Sequence, residues 1–196
     1  MDTELTADHQ ERLATFDRAA AVATAVVAGI GTDQFDLPSP CDEWTVRGVL
    51  NHMVTGNLMT EAMVGGRPRP DRNVDRLGED PPAAFAASVA GARAALTEPG
   101  LMERNVTTPL GEAPGSFLVQ MRVAELVVHS WDLAKATGQH TDLDPELAAD
   151  VLAQWEAGLG GRPRAMTAFK EPRTVPADAT AADRLAGYLG RSVEVP

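Results

Sequence analysis

The stretch FLVQMRVAELVVHSWDLAKATG, residues 117–138, decides the fold, because its apolar pattern is that of one long buried helix ending at Gly138. Glu125 and His129 lie four residues apart within it, so a helix presents both side chains from the same face. Burying a charged side chain is costly unless the charge is paired or coordinates a metal. The pair therefore requires a partner, and His52, in an earlier predicted helix, is the best candidate.

Apolar periodicity and capping residues predict three other long helices. Thr45 is the expected N-cap of one, and Asp80 is the expected N-cap of another that has two prolines in its first turn. With the central helix at about 117–137, these helices are expected at about 8–29, at 46–64 and at about 81–96. Four long helices with short connections indicate an all-α fold, a four-helix bundle.

Shorter elements are expected around and after the long helices. Residues 104–117 have the turn formers of a short extended arm or hairpin. Either Asp142 or Asp144 is expected to begin a fifth helix, which runs to about Trp155. A loop-rich segment at 158–180 then leads to one short closing helix.

The composition limits the domain organisation and the classes of partner. We expect one domain over residues 1–196, with its core at about 1–140 and short C-terminal helical additions at about 141–196. The net charge of −11 argues against nucleic acid and against an anionic membrane surface as partners. No stretch resembles a signal peptide or reaches the roughly 18–20 apolar residues of a membrane span. We therefore expect a cytoplasmic protein that acts on a small-molecule substrate.

Several residues outside the central stretch are assigned structural roles. Cys41 is the only cysteine, which excludes an internal disulfide and a cysteine-based zinc cage. For this thiol, small buried apolar packing is favoured over reactivity. The remaining histidines, His9 and His140, are assigned to the surface. Trp44 and Trp131 are assigned to the core in preference to the lining of a pocket.

Arg122, Glu125, His129 and Asp132 form a polar stripe on the central helix, within an arc of about 80°. A face turned to water would explain such a stripe. Against that interpretation, the apolar residues leave only a narrow polar face and the charges alternate in sign. We therefore favour a buried stripe with a function.

His52 has glycine at both neighbouring turns of its predicted helix, Gly48 at i−4 and Gly56 at i+4. A glycine inside a helix costs about 1 kcal/mol relative to alanine. Two such glycines indicate that something approaches the backbone beside His52. Either a neighbouring helix packs closely there, or a metal and an incoming ligand do.

The residue types at this place are those of an open metal site. His52, Glu125 and His129 would supply two imidazoles and one carboxylate, which leaves coordination positions for water or substrate. This is the composition of a catalytic zinc site, and it also suits nickel or another first-row ion, so the ligands alone do not fix the metal. Asp132 and Arg122 are the predicted catalytic residues beside the ligands. Asp132 would orient an imidazole, and Arg122 would pair with Glu125 or with a substrate carboxylate.

Two segments carry a resemblance to a known superfamily. PCDEWTVRGVLNHMV, residues 40–54, and RVAELVVHSWDLAKATG, residues 122–138, resemble the helix motifs of the DinB-like metalloproteins. Within that superfamily they are most similar to the N-terminal domain of mycothiol-dependent maleylpyruvate isomerase. The tail FKEPRTVPADATAADRLAGYLGR, residues 169–191, is similar to that of an uncharacterised branch in high-GC bacteria.

The resemblance implies a DinB-like four-helix bundle with a divalent metal, usually zinc, held at the positions of His52, Glu125 and His129. It also implies mycothiol as a cosubstrate that attacks an electrophile as a metal-activated thiolate. The tail is shorter than the separate C-terminal domain of the isomerase, so the isomerase reaction itself is not carried over. Bundles of this kind are often dimers, and no interface pattern in the sequence decides whether this chain is a homodimer.

Three functional hypotheses follow. The leading one is a divalent-metal-dependent enzyme that uses a low-molecular-weight thiol in transfer or isomerisation on a small electrophile. The second is a non-catalytic bundle that binds a small ligand or a partner protein, in which Arg122 pairs with Glu125 and Asp132 with His129. The third is a metal-dependent hydrolase with Asp132 as general base.

Overall fold

The computed structural model describes residues 5–41, 44–109, 111–158 and 170–193. All the predicted helices and the hairpin are present, and the four long helices begin and end within two residues of the predicted bounds. The elements in chain order are α1 (Ala7–Ala28), α2 (Val46–Val64), α3 (Pro81–Leu96), β1 (Asn105–Thr108), β2 (Gly111–Pro114), α4 (Gly115–Thr137), α5 (Pro145–Glu156) and α6 (Ala181–Tyr188).

Side-chain caps fix where the helices begin. The side chains of Thr45 and Asp80 accept hydrogen bonds, of 3.2 and 3.0 Å, from the backbone N–H three residues on. Asp144 caps α5 in the same way at 3.1 Å, which decides between the two predicted starting residues. Thr180 caps α6, also at 3.1 Å. Most of the predicted loop-rich segment, residues 159–169, lies outside the described residues.

The chain divides into two compact units, Met1–Thr24 with Leu50–Leu126, and Ala25–Val49 with Val127–Pro196. Helices α1, α2 and α4 each pass from one unit into the other. The first unit contains α3 and the hairpin, whose strands pair antiparallel with Val106 opposite Ala113. Its fully buried side chains include Phe16, Leu50, Met53, Phe85, Leu96 and Leu126.

The second unit contains α5 and α6, which pack against each other. The Tyr188 hydroxyl of α6 donates to the backbone carbonyl of Trp155 in α5, at 3.4 Å. Trp131 of α4 is buried as predicted, and its indole N–H donates to Asp183 at 2.9 Å. None of the helices within the described ranges is long and apolar enough to cross a membrane.

Two of the assigned positions are wrong. His9 is buried rather than at the surface, because its Nε2 lies 2.7 Å from the carbonyl oxygen of Leu96, to which the ring can donate. Trp44 is 36% exposed rather than in the core. His140 is exposed, as predicted.

Candidate metal centre

The polar stripe of α4 is buried. Arg122, His129 and Asp132 are 5%, 3% and 0% exposed, and Glu125 is of intermediate burial. A face turned to water is therefore excluded as the explanation of the stripe. The favoured interpretation, a buried polar stripe inside an apolar helix, is what the structure has.

In the first unit, the side chains of His52 and Arg122 both approach the same carboxylate oxygen of Glu125, Oε2. The His52 Nε2 is 3.5 Å from Glu125 Oε2, and Arg122 Nη1 donates to that oxygen at 2.7 Å. The side chains of His52 and Glu125 are 25% and 22% exposed, so a small ligand can reach this end of the site. Arg122 is buried, and its Nε and Nη2 have no hydrogen-bond partner among the described residues.

The glycine at i+4 from His52 makes room for that arginine. A Cβ at Gly56 would collide with the guanidinium of Arg122. At i−4, a Cβ at Gly48 would lie 3.3 Å from the Cβ of Trp44. The predicted close approach to the backbone of α2 is thus present at Gly56, and the approaching group is a side chain of α4.

The two glycines allow a matched test of this arrangement. Gly48→Ala is expected to leave the protein unchanged or stabilise it by up to about 1 kcal/mol, since alanine favours the helix. Gly56→Ala brings the same gain but displaces the buried Arg122 from Glu125, a charged hydrogen bond worth about 1.5–3 kcal/mol. Urea unfolding of the metal-free protein should find Gly56→Ala less stable than Gly48→Ala by at least about 1 kcal/mol. Equal free energies of unfolding for the two variants would show that the position of Arg122 does not depend on the absence of a side chain at residue 56.

In the second unit, Asp132 connects His129 to an arginine of the C-terminal tail. His129 Nδ1 lies 2.9 Å from Asp132 Oδ2. Arg191 donates to both oxygens of the same carboxylate, from Nε at 3.1 Å and from Nη2 at 2.9 Å. Burial alone would raise the pKa of Asp132, but the hydrogen bond from His129 and the charge of Arg191 bring it below its ordinary value.

The ionised carboxylate of Asp132 determines which ring nitrogen of His129 carries a proton. An ionised Asp132 only accepts hydrogen bonds, so the His129 ring donates from Nδ1. In its neutral form the ring then carries its lone pair on Nε2, which is the form that binds a metal.

Cys41 and Trp44 lie beside His129. The Cys41 sulfur, a ring nitrogen of His129 and a carboxylate oxygen of Asp132 are within 4.8 Å of one another. Burial, followed by the negative charge of Asp132, raises the pKa of the Cys41 thiol. The Trp44 ring centroid is 6.2 Å from that of His129. Sequence reasoning favoured a buried packing role for Cys41 over a reactive thiol, whereas Cys41 is of intermediate burial, and it overlooked Arg191.

The three predicted metal ligands have donor atoms close enough to share one ion. One donor atom from each of His52, Glu125 and His129 lies within 4.8 Å of the other two. A tetrahedral zinc ion with bonds of about 2.0–2.1 Å holds its ligand atoms about 3.3 Å apart. The 3.5 Å between His52 Nε2 and Glu125 Oε2 is close to that spacing. The donor set therefore fits a divalent cation in residue type, and the one donor–donor distance between His52 and Glu125 is close to the zinc spacing.

A family model described as the mycothiol maleylpyruvate isomerase N-terminal domain matches residues 16–134. The match spans His52, Glu125, His129 and Asp132, and Arg191 lies outside it. Two uncharacterized proteins of Mycobacterium tuberculosis, from strains CDC 1551 / Oshkosh and ATCC 25618 / H37Rv, are each 37% identical over 187 residues. Each alignment covers 92% of this chain and 98% of the relative.

Two solved structures share the fold. The crystal structure of the mycothiol-dependent maleylpyruvate isomerase is similar with a TM-score of 0.57 and 19% identity, over 75% of this chain and 68% of that one. A histidine-to-alanine mutant of the isomerase gives a TM-score of 0.56 and 18% identity with the same coverage. The predicted fold class, an all-α DinB-like four-helix bundle, is confirmed by this likeness and by the helical content of the chain.

Proposed function

Because the chain belongs to the mycothiol maleylpyruvate isomerase N-terminal domain family, we propose that it is a divalent-metal-dependent enzyme that uses a low-molecular-weight thiol. The thiol is of the mycothiol type, and the reaction is a transfer or an isomerisation on a small electrophile. Zinc is the first choice of metal, and nickel or another first-row ion is the alternative.

One observation supports the proposal most: the donor atoms of His52, Glu125 and His129 converge within 4.8 Å. Two of these side chains are about one-quarter and one-fifth exposed, and the third is buried. Three ligands at a partly open site are the composition of catalytic zinc centres. A divalent ion held there would supply a Lewis acid that keeps a thiol deprotonated at neutral pH.

The neighbouring residues have distinct tasks in this proposal. Asp132 holds the His129 ring with Nδ1 protonated, so that the lone pair on Nε2 is the one that would bind a metal. Arg122 fixes the rotamer of Glu125 through its 2.7 Å hydrogen bond. Its Nη2 has no hydrogen-bond partner among the described residues, and in this proposal it binds an acidic group on the substrate. Both residues thus belong to the site without being metal ligands.

The alternative of a non-catalytic bundle is supported by the two pairs that it requires, Arg122 with Glu125 and Asp132 with His129. A buried polar network stabilises a scaffold best when every member is satisfied. The two unpartnered nitrogens of Arg122 fall short of that. The metal-dependent enzyme accounts for the open side of the site as well, and it remains the better proposal.

The hydrolase alternative has less support. Asp132 is 0% exposed, and its two oxygens accept hydrogen bonds from Arg191 and lie against His129. A general base must reach the proton that it removes, directly or through one water. Asp132 is better suited to holding His129 than to activating a water.

The thiol requirement can be tested with the cobalt-substituted protein. Titration with mycothiol is expected to change the visible absorption spectrum of the cobalt form, because the site leaves positions open to an incoming sulfur ligand. The S-methylated thiol serves as the control, since it lacks the proton whose loss creates a thiolate. A cobalt spectrum that stays constant up to millimolar mycothiol would contradict the use of a thiol.

A further inference from the structure

Arg191 lies after α6, at a place fixed by the helix end. Gly190 has a φ of +87°, and a Cβ there would lie 2.5 Å from the Cβ of Lys170, so the position requires glycine. The N–H of Gly190 donates to the carbonyl of Gly187, and the N–H of Arg191 donates to that of Ala186, both at 3.0 Å. This pair of bonds is the Schellman motif, which sets the direction of the chain after a helix.

The Arg191 side chain, which follows this turn, is buried, and each of its three nitrogens makes a hydrogen bond. The guanidinium binds Asp132 through Nε and Nη2, and its Nη1 donates to the carbonyl of Leu189 at 3.1 Å. Its Nη2 also lies 3.8 Å from the sulfur of Cys41. Two-point binding fixes the plane of a carboxylate as well as its position, which a single hydrogen bond does not.

We propose that Arg191 is a positioning residue of the metal centre, acting through Asp132 on His129. The fork of Arg191 holds the Asp132 carboxylate with Oδ2 toward Nδ1 of His129, and so favours the ring form that carries its lone pair on Nε2. This inference rests on the proposed function, because the Nδ1–H form of His129 matters only if His129 is a metal ligand. It assigns a role at the centre to a residue outside the 16–134 family match.

The reason is geometric. With both oxygens bridged by Arg191, the carboxylate cannot turn about its Cβ–Cγ bond. Without Arg191, the carboxylate is held, among the described residues, by the bond to His129 alone and can rotate out of the plane of the ring, which weakens that bond and reduces the preference for the Nδ1–H form. Partners of this kind, one bond removed from a ligand, typically change metal affinity by about 10- to 100-fold.

The test uses the full chain with Arg191→Met, and with Arg184→Met as the matched control. Arg184 lies on α6 and binds only the backbone carbonyls of Ala179 and Ala177, at 3.0 and 3.1 Å. The first readout is the nitrogen-15 NMR signature of His129 in the metal-free protein. Wild type and Arg184→Met should be in the Nδ1–H form, and Arg191→Met should be a mixture of both forms. The second readout is zinc affinity by chelator competition, expected to fall about 10- to 100-fold in Arg191→Met alone.

The two readouts separate this inference from the proposed function. An unchanged Nδ1–H form in folded Arg191→Met would overturn the inference. If that variant does not fold, Arg191→Lys, which keeps the charge but not the fork, decides by the same NMR signature. A third outcome is possible: the wild type shows the Nδ1–H form, the Arg191 variant loses it, and neither protein binds zinc. This result would remove the proposed function and support the positioning role of Arg191.

Discussion

His129→Ala is expected to purify with almost no bound metal, whereas the wild type carries about one ion per chain. The imidazole of His129 is the most buried of the three proposed ligands, and Asp132 holds its other nitrogen at 2.9 Å. Zinc bound by four protein ligands has an apparent binding free energy of about 10–16 kcal/mol, or about 2.5–4 kcal/mol per ligand. Loss of one ligand should therefore weaken zinc binding by about 100- to 1000-fold.

His140→Ala is the matched control, because His140 is an exposed histidine. Elemental analysis of both variants and of the wild type, followed by zinc titration of the stripped proteins, measures the effect. His140→Ala should retain the metal content and zinc affinity of the wild type. Equal and near-zero metal in all three proteins, with no zinc binding on titration, would remove the metal from the proposal. The helical fold would remain.

Asp132→Ala is expected to destabilise the metal-free protein by about 3–5 kcal/mol. The substitution leaves the guanidinium of Arg191 buried without its counter-ion, and removal of one partner of a buried pair has a cost of that size. Arg191 is 5% exposed, and its tail is fixed by the end of α6, so the charge cannot easily move to water. Urea unfolding in the presence of a chelator measures the free energy of unfolding without a contribution from metal.

A double variant separates the loss of the pair from the loss of packing. Asp132→Leu combined with Arg191→Met replaces the buried pair with apolar side chains of similar volume, a change that is often neutral or stabilising. We expect the double variant to recover most of the stability lost in Asp132→Ala. If the double variant is as unstable as Asp132→Ala, the unpaired charge of Arg191 is not the cause of the instability, and the pair of Asp132 and Arg191 stabilises the fold in another way. Neither result bears on the metal, because the measurement is made without it.

The long helices were predictable because local rules and tertiary packing agree in them. Thr45 and Asp80 cap helices in the structure as predicted, and Gly138, with a φ of +72°, ends α4 where the apolar periodicity stops. The polar stripe of α4 was predictable for a similar reason, since a helix fixes which side chains share a face. The pairs of Arg122 with Glu125 and of His129 with Asp132 are both three residues apart on that face.

Contacts between residues far apart in the chain were harder to predict. Arg191 meets Asp132 across 59 positions, and in the sequence it is one arginine after a glycine. A glycine at the end of a predicted helix indicates a Schellman turn, which fixes the direction of the next residue. It does not indicate which residue the side chain of Arg191 contacts. His9 was misassigned because a polar sequence context does not reveal that a ring nitrogen can reach the carbonyl of Leu96.

The close fit between Gly56 and Arg122 has a consequence for how this site can be varied by mutation. A side chain at residue 56 and the guanidinium of Arg122 in its present position cannot occupy the same space, so the cost of a change at 56 depends on the residue at 122. A lineage that lost the arginine could admit alanine at 56 without this conflict, and one that kept the arginine would have to displace its guanidinium from Glu125. Screens that vary one position at a time would therefore miss the sequences in which both have changed.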